Sequence, residues 1–463
     1  MKYMQGVIFL KLSDKKTNIK NLCRELAENT IIDPALYQKY HVKRGLRKSD
    51  GTGVVAGITN ICNVHGYVIN EGEVESIPGQ LIYRGYNINE LVRNVEEENR
   101  YGFEETVYLL LFGRLPDEEE LKDFSTLLAL SRELPNGFVE DMILKAPSKN
   151  IMNKLSRSVL ALYSYDEDCE VKSIENEMKT AVSLIAKLPV IMANAYQVKR
   201  RVFDNQSMIM HPLRYEENTA QTILSLLRPD RQYSEEEAQM LDRLLMLQAE
   251  HGGGNNSTFT CRVLTSSGTD PYSAYSSAIC SLKGPRHGGA NIQVINMLDN
   301  FKANISNWEN EDEIAEYMRR TIRKETNDKS GLIYGMGHAV YTISDPRAVI
   351  LKEKAFELAK GKEIEREFKL LETIERLTPQ VFKEVKGSDK AMCANVDMYS
   401  GLVYRMLGIP EDLFTPLFAV ARMAGWSAHR MEEVLTGNRI IRPAYKAIAK
   451  ELEYVKLCDR HND

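Results

Sequence analysis

One stretch constrains the fold more than any other. Residues 413–428, "LFTPLFAVARMAGWSA", carry a single charge, Arg422, among apolar and small residues. A helix that is apolar all round is a buried one, so this segment reads as a helix inside a large core, which a chain of 463 residues has ample length to build. Other segments carry helix boundaries. "FEETVYLLLF" stops at Gly113, and the next helix opens near Pro116 with an acidic first turn. "SEEEAQMLDRLLMLQAE" sets Ser234 and Glu237 at capping-box spacing before apolar residues of helical period. "TDPYSAYSSAICSL" and "SDPRAVILKEKAFELA" each open on an Asp N-cap followed by proline, Asp270-Pro271 and Asp345-Pro346. The one strand-and-turn region lies at 51–86, in "GTGVVAGITNICNVHGYVIN" and "PGQLIYRGY". Strands do not alternate with helices, so the expected class is mainly α and not a parallel-sheet α/β fold. The first 50 residues are polar with helical patches such as "IKNLCRELAEN". The charged stretch from "RRTIRKETNDKSG" to "LTPQVFKEVKGSDK" suggests a smaller, more exposed domain between core helices.

Charge narrows the partners. With 60 basic against 65 acidic residues the net charge is -5, which gives no bulk attraction to nucleic acid or to an anionic membrane. Cys23, Cys62, Cys169, Cys261, Cys280, Cys393 and Cys458 are scattered, with no C-x-x-C pair. That argues against a disulfide framework or a zinc site and fits a reducing cytosol. The opening "MKYMQGVIFLKLSDKK" holds only "GVIFL", too short for a signal-peptide core. No apolar run approaches the ~20 residues of a spanning helix. The expectation is a soluble, cytoplasmic protein.

Three histidines stand at glycine-rich helix boundaries. His251, in "QAEHGGGNN", closes the helix begun near Ser234; it either caps that helix end or lines a space that three glycines strip of side chains. His287, in "GPRHGGAN", is a surface-loop histidine or one held bare for a ligand. His338 follows an apolar run and a Gly-x-Gly turn in "GLIYGMGHAV". None belongs to a close His-x-x-x-His or Cys-x-x-Cys unit, which favours acid–base use over a metal. Arg422, inside its buried helix, needs an anion, either a distant carboxylate or a ligand. Arg347 stands in a helix first turn, where it opposes the dipole unless Asp345 or a bound anion compensates it. Arg442, in "NRIIRPAY", is a third arginine beside apolar residues, and three such groups suit a small polycarboxylate. In "CANVDMYSGLVYRMLG", Asp397 sits where a helix starts, either as an N-terminal charge or as a general base.

Together "AEHGGGNNST", "GPRHGGAN", "GMGHAVYTISDPR", "NVDMYSG" and "ARMAGW…IIRP" resemble the citrate synthase family in order and spacing. "TNICNVHGYVI" and "LIYRGYNINELV" resemble its N-terminal region, so the likeness runs from about residue 50 to 450. The resemblance implies a mainly α, multi-helical fold with a minor β hairpin near the N-terminus. A large helical domain (1–288 and 405–463) and a small one (289–404) would close over a cleft, in a homodimer. It implies that Asp397 takes a proton from the methyl group of acetyl-CoA while His287 stabilises the enol and His338 polarises the oxaloacetate ketone. Citryl-CoA is then hydrolysed. His251, Arg347 and Arg422 match positions that hold oxaloacetate, and Arg442 one that reaches the neighbouring subunit's site. Leu332, Ile333, Gly335 and Gly337 match the loop along coenzyme A, and Asn395 another contact to it. No permanently bound cofactor or metal is implied; a coenzyme A thioester is the co-substrate. Thr342 stands where many members carry a basic residue for a coenzyme A phosphate, with Lys386 and Lys390 as nearby substitutes. Three other readings are a 2-methylcitrate synthase using propionyl-CoA, a metal-dependent helical hydrolase and a non-catalytic helical binding protein.

Overall fold

The computed structural model describes residues 19–460 except 25, 29, 49–51, 71–72, 388–390 and 438, with the side chains of Ile69 and Val74 also outside it. The chain forms two compact units, Gly57–Ile441 and Met1–Ala56 with Arg442–Asp463. The expected boundaries at 288/289 and 404/405 both fall inside the larger unit.

That larger unit opens with a three-stranded antiparallel sheet, β1 (Cys62–Asn70), β2 (Glu73–Tyr83) and β3 (Tyr86–Asn87). Cys62 faces Tyr83 and Asn70 faces Glu73, with a register shift between His65 and Tyr67. Helices follow: α1 (Ile88–Glu97), α2 (Phe103–Phe112), α3 (Glu118–Leu130), α4 (Ile151–Leu162), α5 (Ile174–Phe203), α6 (Thr219–Leu227), α7 (Glu235–Gln248) and α8 (Asn256–Ser266). Next come α9 (Pro271–Leu282), α10 (Ala290–Asn304), α11 (Glu311–Ile322), α12 (Pro346–Ala359), α13 (Glu365–Lys386), α14 (Asp397–Met406) and α15 (Phe414–Thr436). Their ends carry the expected chemistry. Gly113 closes α2 in the left-handed region, Asp117 caps α3, and Ser234 and Glu237 form the capping box of α7. Asp270 and Asp345 cap α9 and α12, each with proline next.

The apolar stretch around Arg422 lies in α15, and every residue from Phe414 to Met431 is buried. It packs against α2, α5, α7, α8 and α9, so the core is built round it. At about 1.5–3 kcal/mol for each large apolar side chain taken from water, this helix is a major source of stability. One reading needs correction. α5 is long and apolar enough to cross a membrane by length and composition, although charged residues interrupt its sequence. It is a core helix: 78% of its most apolar window is buried, against α3, α4, α6 and α15. A second group packs within itself, α10 on α14, α11 on α13, and α12 on both α13 and α14. It meets the rest through α10 on α15 and through α12 on α1, α7 and β2.

In the smaller unit, 19–24 and 26–28 are helical, Ala35–Lys39 forms a single turn of helix, and 442–460 holds no regular element beyond the 3-10 turn Leu457–Asp459. Leu26, Tyr445, Leu452 and Tyr454 are exposed there.

Candidate active site

α7 ends at Gln248, so His251 stands just beyond the helix on a chain that its neighbours grip. The buried Tyr83 hydroxyl of β2 donates to the Glu250 carbonyl at 2.9 Å, and Arg422 Nε donates to the Gln248 carbonyl at 2.8 Å. The Tyr404 hydroxyl donates to Gln248 Oε1 at 2.8 Å. This fixes the His251 ring, whose Nε2 is buried with no hydrogen-bond partner. Burial, then Arg347, His338 and Arg422, push its pKa well down, so the ring is neutral.

His287 lies in the turn after α9 and meets the N-terminus of α8. The Ser257 N–H donates to its Nε2 at 3.3 Å, and the Ser257 hydroxyl lies 2.9 Å from the same nitrogen. Trp426 Nε1–H donates to that hydroxyl oxygen at 3.2 Å. Nε2 is therefore an acceptor and the ring proton sits on Nδ1. Burial, then Arg422, push the pKa down to about 4, so His287 is a neutral N–H donor at physiological pH. A helix N-terminus aimed at an imidazole disfavours its cation in the same direction.

His338 and Asp397 are brought together by a short ladder between distant segments. Gly337 N–H donates to the Cys393 carbonyl and Asn395 N–H to the Gly335 carbonyl, both at 2.8 Å. Asn395 Nδ2 donates to the Gly337 carbonyl at 2.9 Å, and its Oδ1 accepts the Asp397 N–H at 3.0 Å. Gly335 and Gly337 both sit in the left-handed region, at φ of 82° and 89°. Ile333 is buried and Leu332 exposed at the loop's outer end. His338 Nδ1 accepts the Val340 and Tyr341 N–H groups, each at 3.0 Å, which leaves the proton on Nε2.

Beneath His338 lies a platform. The Tyr341 ring stacks on the imidazole at 4.5 Å between centroids and 21° between planes. The His251 ring stands edge-on to His338 at 5.1 Å. The Tyr341 hydroxyl donates to the Gln80 carbonyl of β2 at 3.1 Å, and Gly79 N–H donates to the Ser344 carbonyl, also at 3.1 Å. A Cβ on Gly79 would lie 2.1 Å from that carbonyl oxygen, so the hairpin docks only with glycine there.

Asp397 is the first residue of α14 and partly buried. Burial pushes its carboxyl up to about 6, with Arg347 and Arg422 pulling it down and Asp345 pushing it up. It is ionised at neutral pH yet more basic than an ordinary aspartate. Arg347 has the anion that its position asked for: Nη2 lies 2.7 Å and Nε 3.1 Å from the two Asp345 oxygens. Arg422 keeps an unsatisfied donor. Its Nε is used, its guanidinium lies 4.7 Å over the Phe418 ring, and its Nη2 is buried with no partner. Arg422 acts electrostatically on His251, His287 and Asp397, and Arg347 on His251 and Asp397. Six residues spread over 172 positions thus surround one region that offers two fixed N–H donors, a basic carboxylate and unused polar atoms.

Arg442 belongs to the smaller unit and is exposed. Lys386 is exposed at the end of α13, and Lys390 lies outside the described residues. Thr342 Oγ1 is buried without a partner. Among the described residues no group of three or more His, Cys, Asp or Glu could hold a metal ion. Ser257 and Tyr341, which fix the two imidazoles, were not singled out in the sequence; the N-cap Asn255 two residues before Ser257 was the available sign of a helix N-terminus facing a histidine.

A carboxylate raised in basicity stands beside two imidazole N–H donors and two buried arginines, a chemistry suited to taking a proton from carbon and sheltering an oxyanion. Comparisons with known proteins supply the family. The family described as "Citrate synthase, C-terminal domain" matches residues 48–444. The citrate synthase of Haloferax volcanii is 33% identical, with 86% of this chain and 98% of that protein covered. The 2-methylcitrate synthase 1 of Corynebacterium glutamicum is 31% identical, covering 90% and 98%. The citrate synthase of Thermoplasma acidophilum, solved with carboxymethyl coenzyme A and oxaloacetate, has a TM-score of 0.73 at 25% identity and covers 90% and 99%. The chain belongs to the citrate synthase family, condensing enzymes that need no permanent cofactor and take a coenzyme A derivative as substrate.

Proposed function

We propose that the chain condenses acetyl-CoA with oxaloacetate and water to give citrate and coenzyme A. The observation that carries this reading is the pair of imidazoles locked in opposite tautomers, Nδ1–H on His287 and Nε2–H on His338, around one basic carboxylate. A thioester α-proton is too weakly acidic for a carboxylate alone. Asp397 takes it while the His287 Nδ1–H stabilises charge on the thioester oxygen. The enol carbon attacks the oxaloacetate ketone, which the His338 Nε2–H polarises, and the new alkoxide takes a proton. Water then cleaves citryl-CoA, with coenzyme A leaving as the thiol. The unpartnered Arg422 Nη2 and His251 Nε2, with Arg347, receive the keto acid's carboxylates. Closure of 289–404 on the remainder excludes water from the enol. The exposed apolar side chains along 442–460 support a homodimer in which Arg442 reaches the partner's site. The compartment proposed is the cytoplasm.

The 2-methylcitrate synthase relative supports a second reading in which propionyl-CoA is the donor. One methylene in an apolar pocket is worth about 1–3 kcal/mol, or 10–200-fold in rate. Release of free thiol with oxaloacetate and a panel of acyl-CoAs is the test. Higher kcat/KM with acetyl-CoA upholds the proposal, higher kcat/KM with propionyl-CoA selects the second reading, and no release with either rejects both. Arg422→Leu should raise the KM for oxaloacetate about a hundredfold, the loss expected when one member of a buried charge pair is removed. Its kcat at saturation should fall much less. An unchanged KM would remove Arg422 from the oxaloacetate site.

A further inference from the structure

One buried charge beside the site has no part in the chemistry above. Glu250, next to His251, is fully buried, and its Oε1 accepts the His429 Nε2–H at 3.0 Å. That proton assignment follows from the other ring nitrogen, since His429 Nδ1 lies 2.9 Å from Arg262 Nη1, which can only donate. Arg262 is itself balanced by Glu432 at 2.8 Å and Glu433 at 3.1 Å. The imidazole engages only Oε1, and Oε2 has no hydrogen-bond partner. Oε2 faces α15 closely: a Cβ on Gly425 would lie 2.0 Å from it, and the Gly425 N–H donates to the Ala249 carbonyl at 3.1 Å. One turn earlier on the same helix is Arg422, whose Nη2 is likewise buried and unpartnered. The two charges act on each other without bonding. Burial pushes the Glu250 carboxyl up, and His429 and Arg422 outweigh it to hold the group ionised.

We propose that Glu250 is a positioning residue that serves as the resident counter-anion of Arg422, and that the carboxylate of the keto acid competes with it. The proposal rests on reading Arg422 as a residue that holds oxaloacetate. An isolated buried guanidinium destabilises the empty protein, so Glu250 stabilises the site before substrate arrives. The same charge opposes the arriving dianion. Glu250 therefore weakens oxaloacetate binding and, more strongly, that of the product with its three carboxylates, which speeds release. A purely structural role predicts the opposite sign, because loosening the segment that carries His251 can only weaken binding.

The test is isothermal titration of oxaloacetate into the parent and Glu250→Gln, with melting temperatures recorded with and without ligand. Glu250→Gln should melt lower than the parent when empty, bind oxaloacetate about tenfold more tightly, and gain more melting temperature from it. Its KM for oxaloacetate should fall in parallel while kcat does not rise. Glu250→Asp, which keeps the charge but withdraws it from α15 by one methylene, should tighten binding about twofold and supplies the answer if the glutamine variant does not fold. Unchanged or weaker binding in whichever variant folds overturns the proposal. Failure of the parent to bind oxaloacetate at all overturns instead the reading of Arg422 on which it stands.

Discussion

Asp397→Asn should lower kcat by about a thousandfold and leave the dissociation constant for oxaloacetate within about twofold of the parent, the scale of loss when a positioned general base is removed. Asparagine keeps the shape and the N–H contact to Asn395 but cannot accept a proton from carbon. The pH dependence of the parent follows from the same group. Its carboxyl is pushed up to about 6 by burial, so kcat/KM should fall roughly tenfold per unit below that pH. Stability moves the other way. The folded protein holds this proton more tightly than the unfolded chain, so the group favours folding below about pH 4, and that contribution is lost as the pH rises through 6. Asp397→Asn should therefore melt higher than the parent at pH 8 and alike at pH 4. Turnover by the asparagine variant near the parent's rate would remove Asp397 from the role of base.

His287→Ala should lower kcat by a factor of about 10²–10³, the loss expected on removing one fixed donor to a developing oxyanion. It should also abolish exchange of the acetyl-CoA methyl protons with solvent deuterium, since enol formation needs the donor and the base together. Oxaloacetate binding should change little, because His251, Arg347 and Arg422 remain. Ser257 holds His287 Nε2 as an acceptor through a backbone N–H, so the tautomer does not depend on pH across the physiological range. Proton exchange at the parent's rate would place the enol's donor elsewhere.

Local chemistry made much of this visible before any coordinates. α15 was legible because its first four turns carry a single charge, Arg422, and the helix starts at Ser234, Asp270 and Asp345 because capping acts over three or four residues. The six principal site residues were legible through glycine-bounded histidines, misplaced arginines and the family motifs. What could not be read depends on contacts far apart in the chain. Tyr341 is anchored by Gln80, 261 positions away, and Glu250 by His429, 179 positions away. Neither residue is unusual among its own neighbours. Arg422 shows the same limit in reverse. Its need for an anion was evident, yet the answer is divided between a carboxylate outside its own helix and an open donor. The apolar reach of α5 is hidden in the sequence because Lys187 interrupts it, an ammonium that the fold draws to the Ser131 carbonyl and the Ser183 hydroxyl.

The docking of β2 under Tyr341 ties the fate of the two ends of the motif set together. Because the Gly79–Ser344 and Gln80–Tyr341 bonds join β2 to a loop 261 or more positions later, the seat of His338 is assembled only after both distant segments have been made. A shift of the hairpin by a single residue would turn a side chain into the place where the chain tolerates none. Removal of residues 57–83 should thus yield a helical protein that still buries α15 but has lost the bench on which His338 rests.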